Sequence, residues 1–351
     1  MGNNISFFSI IDKTTNMPTI GIVFGGASTE YRESIRAART LYQNAIKHLE
    51  NKYRFRYYLL TRSNKFANSE FSEGIIKKTI SKKNMPRDAD YDRISSLSRV
   101  NVIYSTLMGT SGENGNIMGL ADILNVPIIG CGILASALSL DKKLSKILAE
   151  SASIPVVKYL YVNKHSDTSS IIEKINKHIK FPCFVKPNNL CTCAYAFKAN
   201  NASEFKHKWD ETVNDNSYSD EYLIEQFIPN IEVRVFLYED LNGKLHANDK
   251  YVTTLKDGAI GSGGVLFDHV KNKLPTPIRK QIIRYAVKLF NLFGMKDYAR
   301  IDFFVETTSN SIYFNEANTQ PHIGPSSIKF MEDDGLPYYD FIEIMIRRNL
   351  D

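Results

Sequence analysis

The chain has 351 residues, 43% of them hydrophobic, enough to fill the cores of two or three domains, so a largely disordered protein is excluded. Its formal charge of +6 is modest for that length, and the main local excess of basic residues (Lys77, Lys78, Lys82, Lys83, Arg87) reads as a solvated helix face. No basic stripe interleaved with aromatic platforms is present, which excludes nucleic-acid binding and leaves a small anionic substrate as the better fit.

No apolar run reaches the ~20 residues of a membrane span, and Ile5 to Ile11 is too short and lacks the basic flank of a signal peptide. Met1-Gly2-Asn3-Asn4-Ile5-Ser6 matches the bare myristoylation pattern, but the pattern is permissive and one acyl chain anchors weakly. Residues 18 to 24 form an apolar strand that ends in Gly25-Gly26-Ala27-Ser28, and a helix runs from Tyr31 to about Leu49. Tyr53 to Leu60 and Asn101 to Tyr104 read as further strands; a helix from Ile117 to Leu124 and a strand at Pro127 to Gly130 follow. Strands alternating with helices imply a parallel α/β sheet.

A second unit opens near Leu134 with one helix to Ser151. It continues through a strand from Val156 to Val162, a helix around Ile171 to His178 and a strand at Cys183 to Lys186. A third unit runs from about Phe227 to the end and closes with a helix from Tyr338 to Arg348. The boundaries expected are therefore 1–133, 134–226 and 227–351, around a shared cleft. The stretch from Gly258 to Gly264 is the most glycine-dense in the chain, yet neither a helix signal nor Gly-Lys-Ser follows it, so a lid over the cleft is the better reading.

The most informative segments are Arg300 to Val305 and Ile312 to Thr319. Both have the β-branched and aromatic make-up of strands, and the polar Glu306 to Asn310 stretch between them turns the chain back into a hairpin. Side chains alternate with period two, so Arg300 shares a face with Asp302, and Glu316 with Asn318. A turn centred on Ser309 sets Asp302 opposite Glu316, with Cβ atoms about 4.5 to 5.5 Å apart. Two carboxylates repel at that range unless a hard cation lies between them. Asp302, Glu316 and Asn318 are therefore the predicted ligands of a Mg²⁺ (or Mn²⁺) ion carrying a nucleotide. Cys131, Cys183, Cys191 and Cys193 include no Cys-x-x-Cys pair, and the seven histidines show no close pair at metal-ligand spacing. These spacings argue against zinc and a disulfide framework, and a reducing cytoplasm is expected.

In this order the motifs resemble those of the D-alanine–D-alanine ligases, a branch of the ATP-grasp carboxylate–amine ligases. The resemblance runs from Thr19 to the C-terminus and is strongest at Gly25 to Glu30, Gly109 to Gly115 with Gly119-Leu120, Leu134 to Lys142, and Asp302 with Asn315 to Thr319. It implies an α/β fold in which a Rossmann-like parallel-sheet domain precedes a two-subdomain ATP-grasp fold. It also implies a peptidoglycan-building activity that uses ATP and Mg²⁺, free amino-acid substrates, and a homodimer joined through the N-terminal domain, without nucleic-acid or membrane partners. By the same resemblance Lys142 and Lys186 hold nucleotide phosphates. The segment Glu225-Gln226-Phe227-Ile228 meets the adenine through its backbone, and Glu232 takes the ribose hydroxyls. Glu30 anchors the first substrate's ammonium with Ser34 one turn on. Arg300 stabilises the acyl phosphate and the later oxyanion, and Ser327 binds the second substrate's carboxylate. Lys250-Tyr251 is the nearest match to a lid lysine and tyrosine.

Three departures stand out. Where the family has a Gly-Ser-Ser-Val-Gly phosphate loop, this chain reads Cys191-Thr192-Cys193-Ala194-Tyr195. Thr192 keeps one hydroxyl for the phosphates, but with both glycines gone free access to positive φ is expected to go with them. Met108 replaces a family histidine near the first substrate, and His322 replaces a glycine after Asn318-Thr319-Gln320-Pro321. These changes gather on the substrate side. They leave three readings: a D-alanine–D-alanine ligase, an ATP-grasp ligase for other amino or hydroxy acids, or a nucleotide-binding regulator that no longer catalyses.

Overall fold

The computed structural model describes residues 17–80, 93–190, 195–248, 274–321, 328, 331–332 and 335–350, and the backbone of 91–92, 251–255 and 265–269. Within these residues three sheets form.

The first sheet grows from the apolar run at the start of the chain. Strand β1 (Thr19–Gly25) is buried along nearly its whole length, as a central parallel strand must be. It is followed by α1 (Tyr31–Leu41), which continues through a π-helical turn (Tyr42–Ile46) into the short α2 (Lys47–Leu49). Next come β2 (Arg54–Leu60), β3 (Phe66–Ala67), α3 (Ser69–Lys77), β4 (Tyr91–Asp92), β5 (Val102–Ser105), α4 (Asn116–Ile123) and β6 (Ile128–Ile129). The strand order is β4-β3-β2-β1-β5-β6. Strands β2, β1, β5 and β6 are parallel, as the sequence implied, while β3 and β4 extend the edge antiparallel. Of the basic run, Lys77 lies exposed in the last turn of α3 and pairs with Glu73 at 2.6 Å, Lys78 ends the helix in the left-handed conformation, and Lys82, Lys83 and Arg87 lie outside the described residues.

The expected helix from Leu134 to Ser151 is two helices, α5 (Ile133–Leu140) and α6 (Lys142–Ser151). Asp141 breaks it. Its ψ of 100° leaves the helical region, and its Oδ1 accepts from the Leu144 amide at 2.8 Å, so it ends one helix and caps the next. The second sheet is antiparallel, in the order β7-β10-β8-β9. Its elements in chain order are β7 (Tyr159–Asn163), α7 (Thr168–Lys174), a π turn (Ile175–Ile179), β8 (Cys183–Pro187), β9 (Phe197–Ala199), α8 (Ala202–Asp215) and β10 (Glu221–Gln226). Strand β7 starts three residues later than expected because Val156 instead bridges to Phe314 of the third sheet. Phe205 stacks on Trp209, which meets Tyr222 edge-on, and these rings fill the core beneath α7 and α8.

The third sheet is antiparallel as well. It comprises β11 (Asn230–Glu239), β12 (Leu245–Asn248), β13 (Tyr251–Leu255), β14 (Val265–His269), β15 (Tyr298–Glu306) and β16 (Ile312–Asn318), ordered β14-β13-β11-β15-β16 with β12 beside β11. Helix α9 (Thr276–Leu292) covers one face together with α5 and α6, around a core of Val233, Val235, Ile301, Phe303 and Phe314. The closing helix α10 (Tyr338–Arg348) has the bounds read from the sequence. It packs back on the first unit, because Phe341, Ile342 and Met345 share a core with Ile35, Leu41 and Tyr57. First and third sheets are thereby tied into one body.

Candidate active site

Asp302 lies directly opposite Glu316, and Arg300 opposite Asn318, the register expected from the sequence. Nearer the turn the strands run one residue out of step, with Phe303 opposite Phe314, and a bulge reconciles the two registers. The core residues of β16 show its effect: Ile312 and Phe314 are followed by Ala317, a step of three instead of two. Asn315 and Glu316 therefore both leave the core. Asn315 Oδ1 accepts from Lys186 Nζ of the second sheet at 3.1 Å, so the bulge residue joins the two sheets across the cleft.

Asp302 has no exposed surface. Arg300 grips it in a forked contact, Nε to Oδ1 at 2.8 Å and Nη2 to Oδ2 at 2.8 Å, and reaches within 3.9 Å of Glu316 Oε1. From β11, Arg234 Nε approaches Asp302 Oδ2 to 3.9 Å while its Nη2 donates to Glu232 Oε2 at 3.0 Å. Burial raises the Asp302 carboxyl above its ordinary range, with Arg300 opposing. Glu316 moves the other way: burial alone would raise it, but Lys142, Lys186 and Arg300 outweigh burial and lower it. Among the described residues no group of three His, Cys, Asp or Glu side chains forms a metal site. The donors on this face are instead two carboxylates and the Asn318 amide, whose Oδ1 accepts from the Gln320 amide at 3.0 Å. Such an oxygen-only set suits a hard cation that keeps water or phosphate in its remaining positions.

The two expected lysines face this hairpin. Lys142, first residue of α6, donates from Nζ to the Leu190 carbonyl at 2.5 Å, and its amide donates to the Asn188 carbonyl at 3.1 Å. The helix start thus holds the segment leading into residue 191. Lys186, near the end of β8, lies 2.9 Å from Glu225 Oε2. The other oxygen of that carboxylate lies 2.8 Å from Lys146 Nζ, a lysine with no exposed surface. Burial alone would raise Glu225; Lys146 and Lys186 outweigh it and hold the carboxyl down at about 2.

At the carboxyl end of β1, where parallel sheets place their ligands, the chain turns through Gly25 at φ 95°. A Cβ there would sit 2.3 Å from the Leu60 carbonyl oxygen, so only glycine fits. Ser28 Oγ donates to the Met108 carbonyl at 2.9 Å, bringing the turn beside the loop after β5. Glu30 is buried there, and its Oε2 has no hydrogen-bond partner among the described residues. Burial first, and then the neighbouring Glu113, push its carboxyl up to about 8, while Lys142 pulls it down. Glu113 accepts from the Gly109 amide at 2.7 Å. Ser34 does not reach this space: it is fully buried, and its Oγ accepts from the Gly25 amide at 2.8 Å. Its service is to the glycine turn, whose unpaired N–H would otherwise be stranded.

Glu225 to Ile228 form the passage from the second sheet to the third. The amides of Gln226 and Phe227 donate to the Lys158 and Pro182 carbonyls at 2.9 and 3.2 Å, so those two N–H groups already have protein partners. Phe227 receives the Lys198 ammonium 3.9 Å from its ring centroid, and Ile228 is buried. Glu232 shares its face of β11 with Arg234. Thr192, Ser327, His322, Lys250 and the glycine-dense stretch at 258–264 lie outside the described residues, as do the acylation pattern and the side chain of Tyr251. Tyr195 corrects one expectation. It stands where the family has its second loop glycine, yet takes φ 59°, so the left-handed backbone survives the loss of glycine at a cost of about 1–2 kcal/mol.

Sequence reasoning missed four residues. Lys146 was signalled by its i+4 spacing from Lys142, and Arg234 by its alternation with Glu232. Glu113 stood within a quoted motif. Asn315 also stood within a quoted motif, but its contact with Lys186 could not be read there, because only the bulge turns it that way.

Comparison with known proteins agrees with this arrangement. The family profile "D-ala D-ala ligase N-terminus" matches residues 19–131, and "D-ala D-ala ligase C-terminus" matches 148–347. A D-alanine–D-alanine ligase of Prochlorococcus marinus (strain NATL1A) is 31% identical over 90% of this chain and 92% of its own length. Another, from Acetivibrio thermocellus, is 32% identical over 71% of this chain and 67% of its own. Among solved structures, the VanG D-Ala:D-Ser ligase of Enterococcus faecalis shares the fold with a TM-score of 0.80 at 22% identity, covering 95% of this chain and all (100%) of that one. A D-alanine–D-alanine ligase of Bacillus anthracis, solved with ATP, does so with a TM-score of 0.71 at 20% identity, covering 95% and 97%. The fold is ATP-grasp, and the chain belongs to the D-alanine–D-alanine ligase family of ATP-dependent ligases. No helix among the described residues is long and apolar enough to cross a membrane.

Proposed function

We propose that this chain joins two D-alanine molecules at the expense of ATP, with Mg²⁺ held by Asp302, Glu316 and Asn318. The observation that carries the reading is the hairpin face on which these three oxygen donors meet, opposed across the cleft by Lys142 and Lys186. When bound, the cation would offset the negative charge of the phosphates.

The residues divide the remaining work. Glu30 takes the ammonium of the first D-alanine, which supplies the hydrogen-bond donor its Oε2 lacks. Lys142 and Lys186 hold phosphate oxygens as point charges, and Glu232 takes the ribose. A carboxylate oxygen of the first substrate bonds to the γ-phosphorus as the bond to the β-phosphate oxygen breaks and ADP leaves. The neutral amine of the second substrate then attacks the acyl carbon, the C–O bond to phosphate breaks, and the nitrogen gives up a proton to leave an amide. Arg300, anchored by Asp302, presents its remaining guanidinium N–H groups to the developing oxyanion. Ser327 and Tyr251 are assigned to the second substrate and the lid by resemblance alone. On this reading the chain is a cytoplasmic homodimer supplying a dipeptide for peptidoglycan, with no nucleic-acid or membrane partner. The buried free thiols of Cys131 and Cys183 support a reducing compartment. The division into units 1–133, 134–226 and 227–351 is supported by one sheet falling within each, while α5 and α6 pack on the core of the third sheet.

A second reading, a ligase for other amino or hydroxy acids, draws on Met108, buried where the family carries a histidine near the first substrate. Phosphate release from Mg²⁺-ATP with D-alanine, and separately with a panel of other amino and hydroxy acids, tests both. We expect release with D-alanine; release only with another acid selects the second reading, and ATP binding without turnover under any condition contradicts both.

A further inference from the structure

Lys146 is a buried cation that the mechanism above does not use. It follows Lys142 by one turn of α6, so the two share a helix face, but Lys146 has no exposed surface and cannot touch a nucleotide. Its Nζ lies 2.8 Å from Glu225 Oε1 in an oblique approach, so that neither atom makes an aligned hydrogen bond, and the Tyr159 ring centroid is 5.8 Å away. A charge taken wholly out of water is a poor way to stabilise a fold, and an apolar side chain of similar volume would serve as well or better. What Lys146 touches is Glu225, and the other oxygen of Glu225 holds Lys186 at 2.9 Å.

An ammonium has three N–H donors. Lys186 directs one to Glu225 Oε2 and one to Asn315 Oδ1, which among the described residues leaves the third for a ligand. If Lys186 were the sole cation on Glu225, the carboxylate would draw the ammonium wholly to itself. Lys146 shares that carboxylate from behind and leaves the three-residue cluster with a net positive charge facing the cleft.

We propose that Lys146 is a positioning residue: acting through Glu225, it fixes the Lys186 ammonium so that its third donor is free for a nucleotide phosphate. The proposal rests on the reading of Lys186 as a phosphate ligand. It is tested by calorimetric titration of Mg²⁺-ATP into the intact chain and into Lys146→Met, Lys186→Met and the double variant, with melting temperatures recorded for each. Lys186→Met should weaken ATP binding about tenfold, the size of one charged hydrogen bond. Lys146→Met should weaken it several-fold, and the double variant should be no weaker than Lys186→Met to within about twofold, because the path through Lys186 is already cut. A purely structural Lys146 would lower the melting temperature and weaken ATP equally in both backgrounds. Additive losses, or a Lys146→Met variant that binds ATP as the parent does, overturn the positioning role and leave the reading of Lys186 standing. Unchanged affinity in Lys186→Met overturns both. Should Lys146→Met not fold, Glu225→Gln cuts the same path from the other side, and its loss must likewise vanish in the Lys186→Met background.

Discussion

Glu30 shows how one side chain couples the site to pH. Burial and Glu113 raise its carboxyl from 4.5 to about 8, so near neutral pH it carries a proton until a cation arrives. The folded-state value is the higher one. Its contribution to stability is therefore fully present below about 4.5 and fades as pH rises through about 8. An incoming ammonium reverses the balance and expels the proton. Binding of D-alanine at pH 6.5 to 7 should thus release close to one proton, read from calorimetry in buffers of different ionisation enthalpy. The release should vanish above about pH 9 and in Glu30→Gln; no proton release at neutral pH would count against an ammonium at Glu30. Glu30 became a candidate for the ammonium through the resemblance of its glycine turn to that of the family. Its raised pKa was not, because Glu113 comes from a loop about eighty residues away and only the parallel pairing of β1 with β5 sets the two together.

At the scale of elements, the start of α6 is the best example of a local signal with a functional result. Asp141 caps the helix, and the cap sets Lys142 in its first turn with its amide on the Asn188 carbonyl. Asp141→Ala should cost about 1 kcal/mol in urea denaturation and weaken ATP binding, whereas Asp141→Asn, which keeps an accepting oxygen, should do neither appreciably. An alanine variant as stable as the parent would show that the cap is not what orders this turn. The break at Asp141 escaped sequence reading because Leu134 to Ser151 is helix-forming on both sides, and a capping residue inside such a run looks like an ordinary exposed acid. The β15–β16 hairpin was legible from its strand composition and polar turn, but the pairing of Asp302 with Glu316 depends on the bulge, since the register next to the turn, Val305 opposite Ile312, would by itself set Asp302 opposite Asn315. The bulge was not, because the turn alone does not reveal that β16 carries one residue more than its partner.

For the whole molecule, the parallel part of the first sheet and the closing helix were legible from apolar runs and turn residues. The edge strands β3 and β4 were not, as two-residue strands carry no periodicity. Nor did the sequence reveal that α10 returns to the first unit, which is a matter of which apolar faces meet. That return, with the Asn315–Lys186 contact between second and third sheets, brings Glu30, Lys142, Lys186 and the acidic hairpin into mutual electrostatic range. The central claim is that this convergence holds a metal–nucleotide complex. The most direct measurement is anomalous diffraction from crystals grown with Mn²⁺ and ADP. The account predicts a manganese peak within bonding distance of oxygens from Asp302, Glu316 and Asn318 and of a phosphate. Nucleotide bound with manganese elsewhere, or with those three side chains turned away from it, would contradict the account.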